Sequence, residues 1–274
     1  MTLETFTVKD FNDLLDAIRY KYGYDFTEYA ESSLRRRVQY FMENHKIEKI
    51  QSLANLILTN EQLFEEFVQQ MSITVTEMFR DPSFYKVIRE KVTERLATYP
   101  VIKIWIAGCA TGQEVYSVAI LLKEQNLLTR SIIYATDINQ KSLEIAKEGI
   151  YPLQYMKAYT QNYLQAGGTR SFSEYYLAKY QSVMFDKSLR QNVVFSSHNL
   201  VTDKAFNEFQ LIICRNVLMY FNQNLQRKVI DLFYDSLAPF CFLALGNKES
   251  MLFSDKRQHF EEVDRKDKVF RKIS

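Results

Sequence analysis

The sequence contains no pattern that would predict a metal site or a set of disulfides. Its cysteines, Cys109, Cys214 and Cys241, are an odd number without CxxC spacing, and each lies in or beside an apolar run typical of a strand. The three histidines are far apart and have no ligand spacing with the cysteines. We therefore expect reduced, buried cysteines, no metal, and no histidine acting as a general base.

Long apolar runs and an excess of one charge are also absent. No apolar run approaches the roughly 20 residues that span a bilayer, and nothing resembles a signal peptide. The formal net charge is +2, which gives no overall field toward nucleic acid or a membrane surface. We expect a cytoplasmic protein. A chain of 274 residues with 47% hydrophobic residues can form one large domain and a smaller one.

Residues 1–72 have no glycine except Gly23 and no proline, and their apolar residues recur at spacings of three and four. This pattern predicts a small all-α domain of four short helices. Asn60 is a plausible cap between the last two of them.

The second predicted helix carries Arg35, Arg36 and Arg37 in a region that otherwise leans acidic. Such a charge run is often only a solvated helix face. It could instead dock an acidic protein surface. RNA binding is a weaker interpretation, because the triplet has no interleaved glycine or aromatic residues.

The helical pattern lapses after residue 72, in the stretch ITVTEMFRD. Asp81 followed by Pro82 then predicts a helix start, with a capping carboxylate and proline in the first turn, and the helix continues to about Thr98. We take residues 73–85 as a linker that contributes to the active site.

The linker holds Thr74, Thr76 and Arg80, and a segment between two domains is well placed to close over a site. Alternatively, Arg80 pairs with a neighbouring acid at the surface.

From residue 86 to residue 274 the pattern favours an α/β domain. Strand 101–107 leads into a turn with Gly108 and Gly112, followed by a helix from about Gln113, which is how a doubly wound sheet usually opens a nucleotide site. The glycine spacing is not the G-x-G-x-x-G of a dinucleotide site, so a cofactor without phosphates fits better.

Asp137 ends the next predicted strand, 131–136, where a carboxylate commonly accepts both ribose hydroxyls. An adenosine-bearing ligand without a pyrophosphate suggests S-adenosylmethionine. Alternatively, Asp137 is a turn residue or a helix cap, although Asn139 could cap the following helix, which ends at Gly149.

Residues 152–192 break this rhythm and predict an inserted small antiparallel sheet. The α/β pattern then resumes, with a late strand at 240–246 and a closing hairpin at the end. Asn199, Arg215 and Asn216 fall at the carboxyl ends of predicted strands, where ligands bind in open α/β folds.

Several segments together resemble one family, the CheR chemotaxis receptor methyltransferases, in that family's order and at similar spacing. They cover about residues 73 to 250, and the predicted helical domain before them is similar in character to the N-terminal domain of that family. The most specific is the CRNV motif followed by Tyr-Phe. The segments are ITVTEMFRDPSFY, IWIAGCATGQEVYSVAI, YATDINQKSLEIAKEGIY, VVFSSHNL, FQLIICRNVLMYF and LALGNKES.

The resemblance implies an all-α domain followed by a Rossmann-like S-adenosylmethionine-dependent methyltransferase domain with a small antiparallel β insertion. It implies methyl transfer to glutamate side chains of acidic helical chemoreceptor cytoplasmic domains, with S-adenosylhomocysteine as product. We expect a monomer with no nucleic-acid partner and no insertion into the membrane.

The resemblance also implies residue roles. Tyr220 resembles the tyrosine that faces the acceptor, and Arg80 and Tyr220 become the catalytic candidates. Arg35, Arg36 and Arg37 become candidates for docking the receptor. The cofactor-binding candidates are Thr74, Thr76, Arg80, Ala107, Gly108, Glu114, Asp137, Asn199, Leu200, Arg215 and Asn216.

Three positions depart from the family pattern. Thr74 stands where an asparagine is common, and Met78 where the first of two phenylalanines is frequent. The turn before the late strand reads Pro239, Phe240, Cys241 in place of Pro-Gly-Gly. A threonine keeps one hydrogen bond of the amide but not the second, so a non-catalytic S-adenosylmethionine-binding signalling module stays open as an alternative. A methyltransferase with another acceptor, such as a small carboxylic acid or a nucleic acid, is a second alternative, although the helical front domain and the insertion favour a protein acceptor.

Overall fold

The computed structural model describes residues 6–72 and 76–273, so Thr74 lies outside the described residues. The chain divides into two compact units. The helical unit contains the chain up to Ile73 together with Met219–Lys228, and the sheet unit contains Thr74–Leu218 and Val229–Ser274. The return of residues 219–228 to the helical unit was not predicted from the sequence.

Four α-helices form the front of the helical unit, as the apolar periodicity predicts. Thr7 starts the first helix, since its hydroxyl accepts a hydrogen bond from the Asp10 amide at 3.2 Å. The Asn60 side chain accepts from the Leu63 amide at 3.1 Å, which confirms the predicted cap. The helices are α1 Val8–Tyr22, α2 Glu31–Asn44, α3 Ile50–Thr59 and α4 Glu61–Met71.

The helical unit has its own apolar core, and the returning segment is attached to it by backbone and side-chain contacts. Ile18, Val38 and Phe67 are fully buried in this core. The Ala30 amide donates to the Tyr220 carbonyl at 2.8 Å, and the Tyr220 ring also lies under the Arg37 guanidinium, 5.3 Å from its centre. Tyr220 is therefore held by the helical unit.

The sheet unit is built on a seven-stranded mixed sheet in the order β6-β2-β1-β7-β8-β10-β9. The first five strands of this order are parallel, and β10 runs antiparallel to β8 and β9. The order in which the chain adds strands reverses between β1 and β7, which is where open α/β sheets bind ligands. The strands are β1 Ile102–Ala107, β2 Ser131–Asp137, β6 Val193–Ser197, β7 Phe209–Cys214, β8 Leu237–Leu245, β9 Phe260–Asp264 and β10 Val269–Lys272.

Helices connect these strands close to the predicted positions. The Asn139 side chain caps α8 by accepting from the Ser142 amide at 3.1 Å, and Gly149 ends that helix in the left-handed region, both as predicted. The helix after Asp81 is interrupted by a π-helical turn at Ile88–Val92. The helices are α5 Pro82–Val87, α6 Thr93–Leu96, α7 Gln113–Glu124, α8 Gln140–Glu148, α9 Met156–Gln165 and α10 Gln223–Ser236.

The predicted insertion forms a second, three-stranded antiparallel sheet in the order β3-β5-β4, and α9 lies between its first two strands along the chain. A buried carboxylate, Glu124, joins the insertion to the main sheet unit. Glu124 pairs with Arg89 and accepts hydrogen bonds from the hydroxyls of Tyr163 and Tyr175. The strands are β3 Ile150–Pro152, β4 Tyr176–Lys179 and β5 Ser182–Phe185.

The late strand differs from its prediction, because β8 starts at Leu237 and the expected turn at residues 239–241 lies inside it. The pairing of β7 with β8 is irregular: Phe209 faces Leu237, but Leu211 faces Phe242. The extra β8 residues bulge outward there, and Phe240 has a φ of 61°. Relatives with glycine at this position would meet the left-handed φ without strain.

The cysteines are buried and form no disulfide, as predicted, and burial raises the pKa of each thiol. Within residues 6–72 and 76–273, no group of three or more metal-ligating side chains could hold an ion. Across the same residues, no helix has the length and apolar character needed to cross a membrane.

Candidate active site

The turn between β1 and α7 is held against β2 by two backbone hydrogen bonds. The amides of Gly108 and Cys109 both donate to the Thr136 carbonyl, at 2.8 and 2.9 Å. Gly108 has a φ of 76°, and a Cβ added there would lie 2.4 Å from Cγ2 of Val217. Glycine is therefore required here by backbone conformation and by packing against the loop after β7.

Asp137 is the last residue of β2 and lies beside this turn. Its carboxylate accepts from the Ala110 amide at 2.8 Å and from the Asn139 amide at 2.9 Å, one on each oxygen. Burial raises the pKa of Asp137, and the backbone donors oppose that shift. Because Asn139 itself caps α8, Asp137 is not needed as that cap, and each of its oxygens keeps a lone pair for a ligand.

Asn199 and Leu200 follow β6 at the same edge of the sheet. The His198 amide contacts the Asp137 carbonyl at 3.3 Å, which brings the two strand ends together. Asn199 stabilises its own turn, since its side-chain oxygen accepts from the Val201 amide at 2.9 Å. The His198 ring packs edge-on against Trp105, inside an aromatic cluster and not at the open edge.

Arg215, directly after β7, is almost fully buried and makes contacts that sequence reasoning missed. Its guanidinium donates to the Glu114 carboxylate at 2.9 Å, to the Asp81 carboxylate at 2.7 Å and to the Arg80 carbonyl at 3.2 Å. It also lies over the Phe84 ring, 4.2 Å from its centre. Burial alone would lower the pKa of Arg215, but Glu114 and its other neighbours raise it.

The Asp81 interaction corrects one prediction. The helix starts at Pro82, as expected, but Asp81 makes no side-chain capping bond and has a φ of 55°. Its carboxylate pairs with Arg215 instead. A buried cation needs a partner, and that requirement outweighs the value of about 1 kcal/mol for a helix cap.

The loop that carries Arg80 is fixed to the sheet unit on both sides. The Phe79 amide donates to the Ser117 hydroxyl at 2.9 Å, and Phe79 is fully buried. The Asn162 side chain donates to the Met78 carbonyl at 3.1 Å, and Met78 is a core residue. Phe79 and Asp81, on either side of Arg80, both have positive φ values, the kind of strain that packing must maintain.

A second buried carboxylate fixes the turn that follows Arg215. Glu249 accepts from the Val217 amide at 2.8 Å and from the Gly246 amide at 2.6 Å. The loop with Asn216 is thereby tied to the end of β8. The motif LALGNKES contained this glutamate, but its spacing alone did not reveal its partner.

Most of the cofactor-binding candidates of the sheet unit lie at or just beyond the carboxyl ends of β1, β2, β6 and β7, which are neighbours in the sheet. Thr76 is partly exposed in the linker. Ala107 ends β1 and is buried.

The arginine triplet does not form one exposed row. Arg35 donates to the Phe6 carbonyl at 3.0 Å, and its guanidinium lies over the Phe6 ring. Arg37 is buried and donates to the Met71 carbonyl and to the Ser33 hydroxyl. Arg36 is exposed. Consecutive helical residues point in different directions, which separates the three side chains.

Comparisons with known proteins agree with this architecture. The family model of the CheR methyltransferase SAM-binding domain matches residues 74–269, and that of the CheR methyltransferase all-alpha domain matches residues 9–72. The chain belongs to the CheR methyltransferase family. The resemblance and the fold class predicted from the sequence are confirmed.

Individual CheR relatives match along most of their length. A Pseudomonas putida protein named Cher3 is 47% identical over 272 residues, covering 99% of this chain and 100% of its own. A chemotaxis protein methyltransferase from Listeria innocua is 28% identical, covering 89% of this chain and 91% of its own. The solved N-methyltransferase NodS from Bradyrhizobium japonicum is 13% identical and covers 72% of this chain and 89% of its own, with a TM-score of 0.40, too low to add to the family match.

S-adenosylmethionine is the cofactor of this CheR domain. The described residues fit it chemically. Asp137 offers two carboxylate oxygens for ribose hydroxyls, and Glu114 offers the carboxylate oxygen that Arg215 does not use to a cationic ammonium group. The predicted cofactor therefore agrees with the donor and acceptor groups at the sheet edge.

Proposed function

We propose that this CheR-family protein transfers the methyl group of S-adenosylmethionine to glutamate side chains of chemoreceptor cytoplasmic helices, forming methyl esters in chemotaxis-type signalling. The observation that carries the proposal is the fixed Arg80 loop, which anchors a cation to the sheet unit that binds the cofactor. The Listeria relative, a chemotaxis protein methyltransferase by name, supports the signalling role.

The reaction needs little acid–base chemistry from the protein. A glutamate carboxylate has an ordinary pKa of about 4.3 and is already ionised at neutral pH, so no general base has to remove a proton. The cofactor supplies a methyl group on a sulfonium leaving group. The protein's task is then to hold the carboxylate in line with that methyl group and to exclude water.

Arg80 is the proposed residue that orients the acceptor carboxylate, through charge-assisted hydrogen bonds. The interaction between Arg80 and the acceptor carboxylate must be of moderate strength. The carboxylate loses charge in the transition state, so a tight ion pair would stabilise the ground state more than the transition state. Tyr220 is the proposed hydrogen-bonding partner near the reacting methyl group. Thr74 and Thr76 are proposed to line the cofactor site from the linker.

Arg36 is the proposed contact for the acidic receptor surface, with Arg35 and Arg37 as supporting residues of the same helix. We further propose that the protein acts in the cytoplasm as a monomer, without nucleic acid and without inserting into the membrane. These proposals rest on the family resemblance and on the exposed position of Arg36.

Calorimetry and labelled methyl transfer test the proposal against its alternatives. The protein should bind S-adenosylmethionine and S-adenosylhomocysteine, and it should label a chemoreceptor cytoplasmic fragment. Binding without transfer to any protein would favour a non-catalytic signalling module, and transfer only to small acids or nucleic acid would favour another acceptor.

The Arg80→Ala variant tests the mechanism, with Arg80→Lys as the partner variant. We expect Arg80→Ala to lower kcat by about 100-fold, since orientation of a reacting group contributes on that scale, and Arg80→Lys to recover part of it. Normal turnover of Arg80→Ala on a competent receptor fragment would contradict the proposed role.

A further inference from the structure

A basic pocket lies at the turn between β9 and β10, and we call it the hairpin pocket. It encloses about 310 Å³. Its lining includes the buried side chain of Met251 and the exposed apolar side chain of Leu252. Its charged lining residues are Arg257, Glu262, Arg265 and Lys268.

The positive charge of the pocket arises because the acidic residues of the turn are engaged elsewhere. Asp267 is buried and accepts a hydrogen bond from the Ser83 hydroxyl at 2.7 Å. Asp264 pairs with Lys91 at 2.9 Å, and backbone donors, chiefly the Asp267 amide, lower its pKa. These two carboxylates are therefore directed away from the pocket lining.

The cations that line the pocket have fewer ion-pair partners than the acidic residues of the turn. Arg257 lies 3.7 Å from Glu262 in a loose, partly exposed pair, and it also donates to the Phe260 carbonyl at 2.9 Å. Within residues 6–72 and 76–273, neither Arg265 nor Lys268 forms an ion pair. Three cations against one carboxylate leave the pocket with a net positive charge that is available to a partner.

The hairpin pocket borders the edge of the sheet where the cofactor residues lie. The Leu245 amide, at the end of β8, donates to the Lys268 carbonyl at 3.1 Å. The next residue, Gly246, is joined through Glu249 to the Val217 amide, one residue beyond Asn216. A ligand segment that reaches the cofactor edge could therefore extend over the hairpin.

We propose that the hairpin pocket binds carboxylate side chains of an acidic amphipathic helix of the methyl acceptor, adjacent to the glutamate that is methylated. This inference rests on the proposed function, since it assigns the acceptor's charge and form. Arg265 and Lys268 contact the carboxylates, and Leu252, which is 78% exposed, contacts the apolar side of the helix. Complementary charge of this kind chiefly accelerates association and selects the partner.

Charge reversal tests the pocket kinetically. The variant with Arg265→Glu and Lys268→Glu should raise KM for a receptor fragment by about ten-fold at low salt, with kcat and cofactor Kd unchanged. The difference should shrink at high salt, because exposed charges are screened. The matched control reverses two exposed lysines of other helices, Lys147→Glu with Lys157→Glu, and should leave KM near the wild-type value.

A binding measurement separates failure of the pocket from failure of the proposed function. Fluorescence anisotropy with a labelled glutamate-rich helical peptide needs no turnover, and the same peptide with glutamine in place of glutamate removes only its charge. The wild type and the lysine control should bind the glutamate peptide, and the hairpin variant should lose about ten-fold in affinity.

The anisotropy and methyl-transfer measurements together distinguish the pocket from the proposed function. Hairpin-dependent binding of the glutamate peptide without any methyl transfer would overturn the proposed function and support the pocket. Equal affinity of the hairpin variant and the control, or equal binding of the glutamine peptide, would overturn the pocket. A hairpin-dependent preference for single-stranded RNA over the glutamate peptide would overturn the assignment of an acidic protein partner.

Discussion

Arg215 and Glu114 form an ion pair at the carboxyl edge of the sheet, with 2.9 Å between guanidinium nitrogen and carboxylate oxygen. The same guanidinium binds Asp81 and the Arg80 carbonyl. One buried cation therefore fixes Glu114, a proposed cofactor residue, and the backbone of the proposed catalytic loop. We therefore propose that Arg215 is a positioning residue, in addition to its predicted place at the pocket.

Replacing Arg215 should weaken both stability and cofactor binding. Arg215→Met leaves two carboxylates without their cation and should lower the free energy of unfolding by about 3 kcal/mol. Arg215→Lys keeps the charge but loses the planar fork that reaches Asp81 and Glu114 together, so its effect should be intermediate. Urea unfolding and calorimetry measure both quantities, and wild-type cofactor affinity in Arg215→Lys would contradict the positioning role.

Cofactor affinity should depend on pH through Asp137. In the proposed cofactor site the ionised Asp137 carboxylate would accept the ribose hydroxyls, and burial raises its pKa. Protonation on lowering the pH therefore removes an acceptor, and affinity should begin to fall at a higher pH than an ordinary aspartate, with a pKa of about 3.9, would give. Calorimetry across a pH series checks this. Asp137→Asn should bind weakly and without that pH step, and an identical step in the variant would assign the titration to another group.

Arg36 and Arg37 should respond differently to substitution. Arg37→Ala removes the hydrogen bonds to the Met71 carbonyl and the Ser33 hydroxyl and should lower the free energy of unfolding by about 2 kcal/mol. Arg36→Glu should leave stability within about 0.5 kcal/mol and raise KM for the receptor fragment. Thermal unfolding and initial rates measure the two effects. Equal effects of the two variants on KM at unchanged stability would favour the whole triplet as one docking surface.

Glu124, at the end of α7, should be the carboxylate on which the attachment of the inserted subdomain depends most. Glu124→Gln leaves Arg89 buried without its anion and weakens the hydrogen bonds from Tyr163 and Tyr175, so the free energy of unfolding should fall by about 3 kcal/mol. The exposed Glu148→Gln is the matched control and should change it by less than about 0.5 kcal/mol. Urea unfolding of both variants checks the difference, and equal stability would show that the insertion is held by its apolar core alone.

Sequence periodicity was sufficient to predict the helices and the order of the strands along the chain. It also predicted the strand ends at which Asp137, Asn199 and Arg215 lie. It also contained a signal for Arg37, which follows Leu34 by three residues and precedes Phe41 by four, and so lies on the buried face of α2. Arg36 is two residues from Leu34 and five from Phe41, so it does not share the helix face of these buried residues. Helical periodicity alone therefore distinguishes the buried Arg37 from the exposed Arg36.

Other features depend on residues far apart in the chain. Asp81 has every local mark of a helix cap, but its partner is 134 residues away. The return of residues 219–228 to the helical unit, through contacts such as Ala30 with Tyr220, likewise has no local signature. Contacts over such separations form only when the folded core brings the two partners together. A local sequence pattern carries no information about that tertiary arrangement.

The chemical nature of the methylated product decides whether the protein esterifies glutamate. A receptor cytoplasmic fragment would be labelled with S-adenosylmethionine carrying a labelled methyl group and then exposed to mild alkali. We predict that the label is released as methanol, because a glutamate methyl ester hydrolyses in base, and that glutamate-to-glutamine substitution at the labelled position abolishes incorporation. Base-stable label on the fragment, or incorporation that survives the substitution, would contradict glutamate esterification.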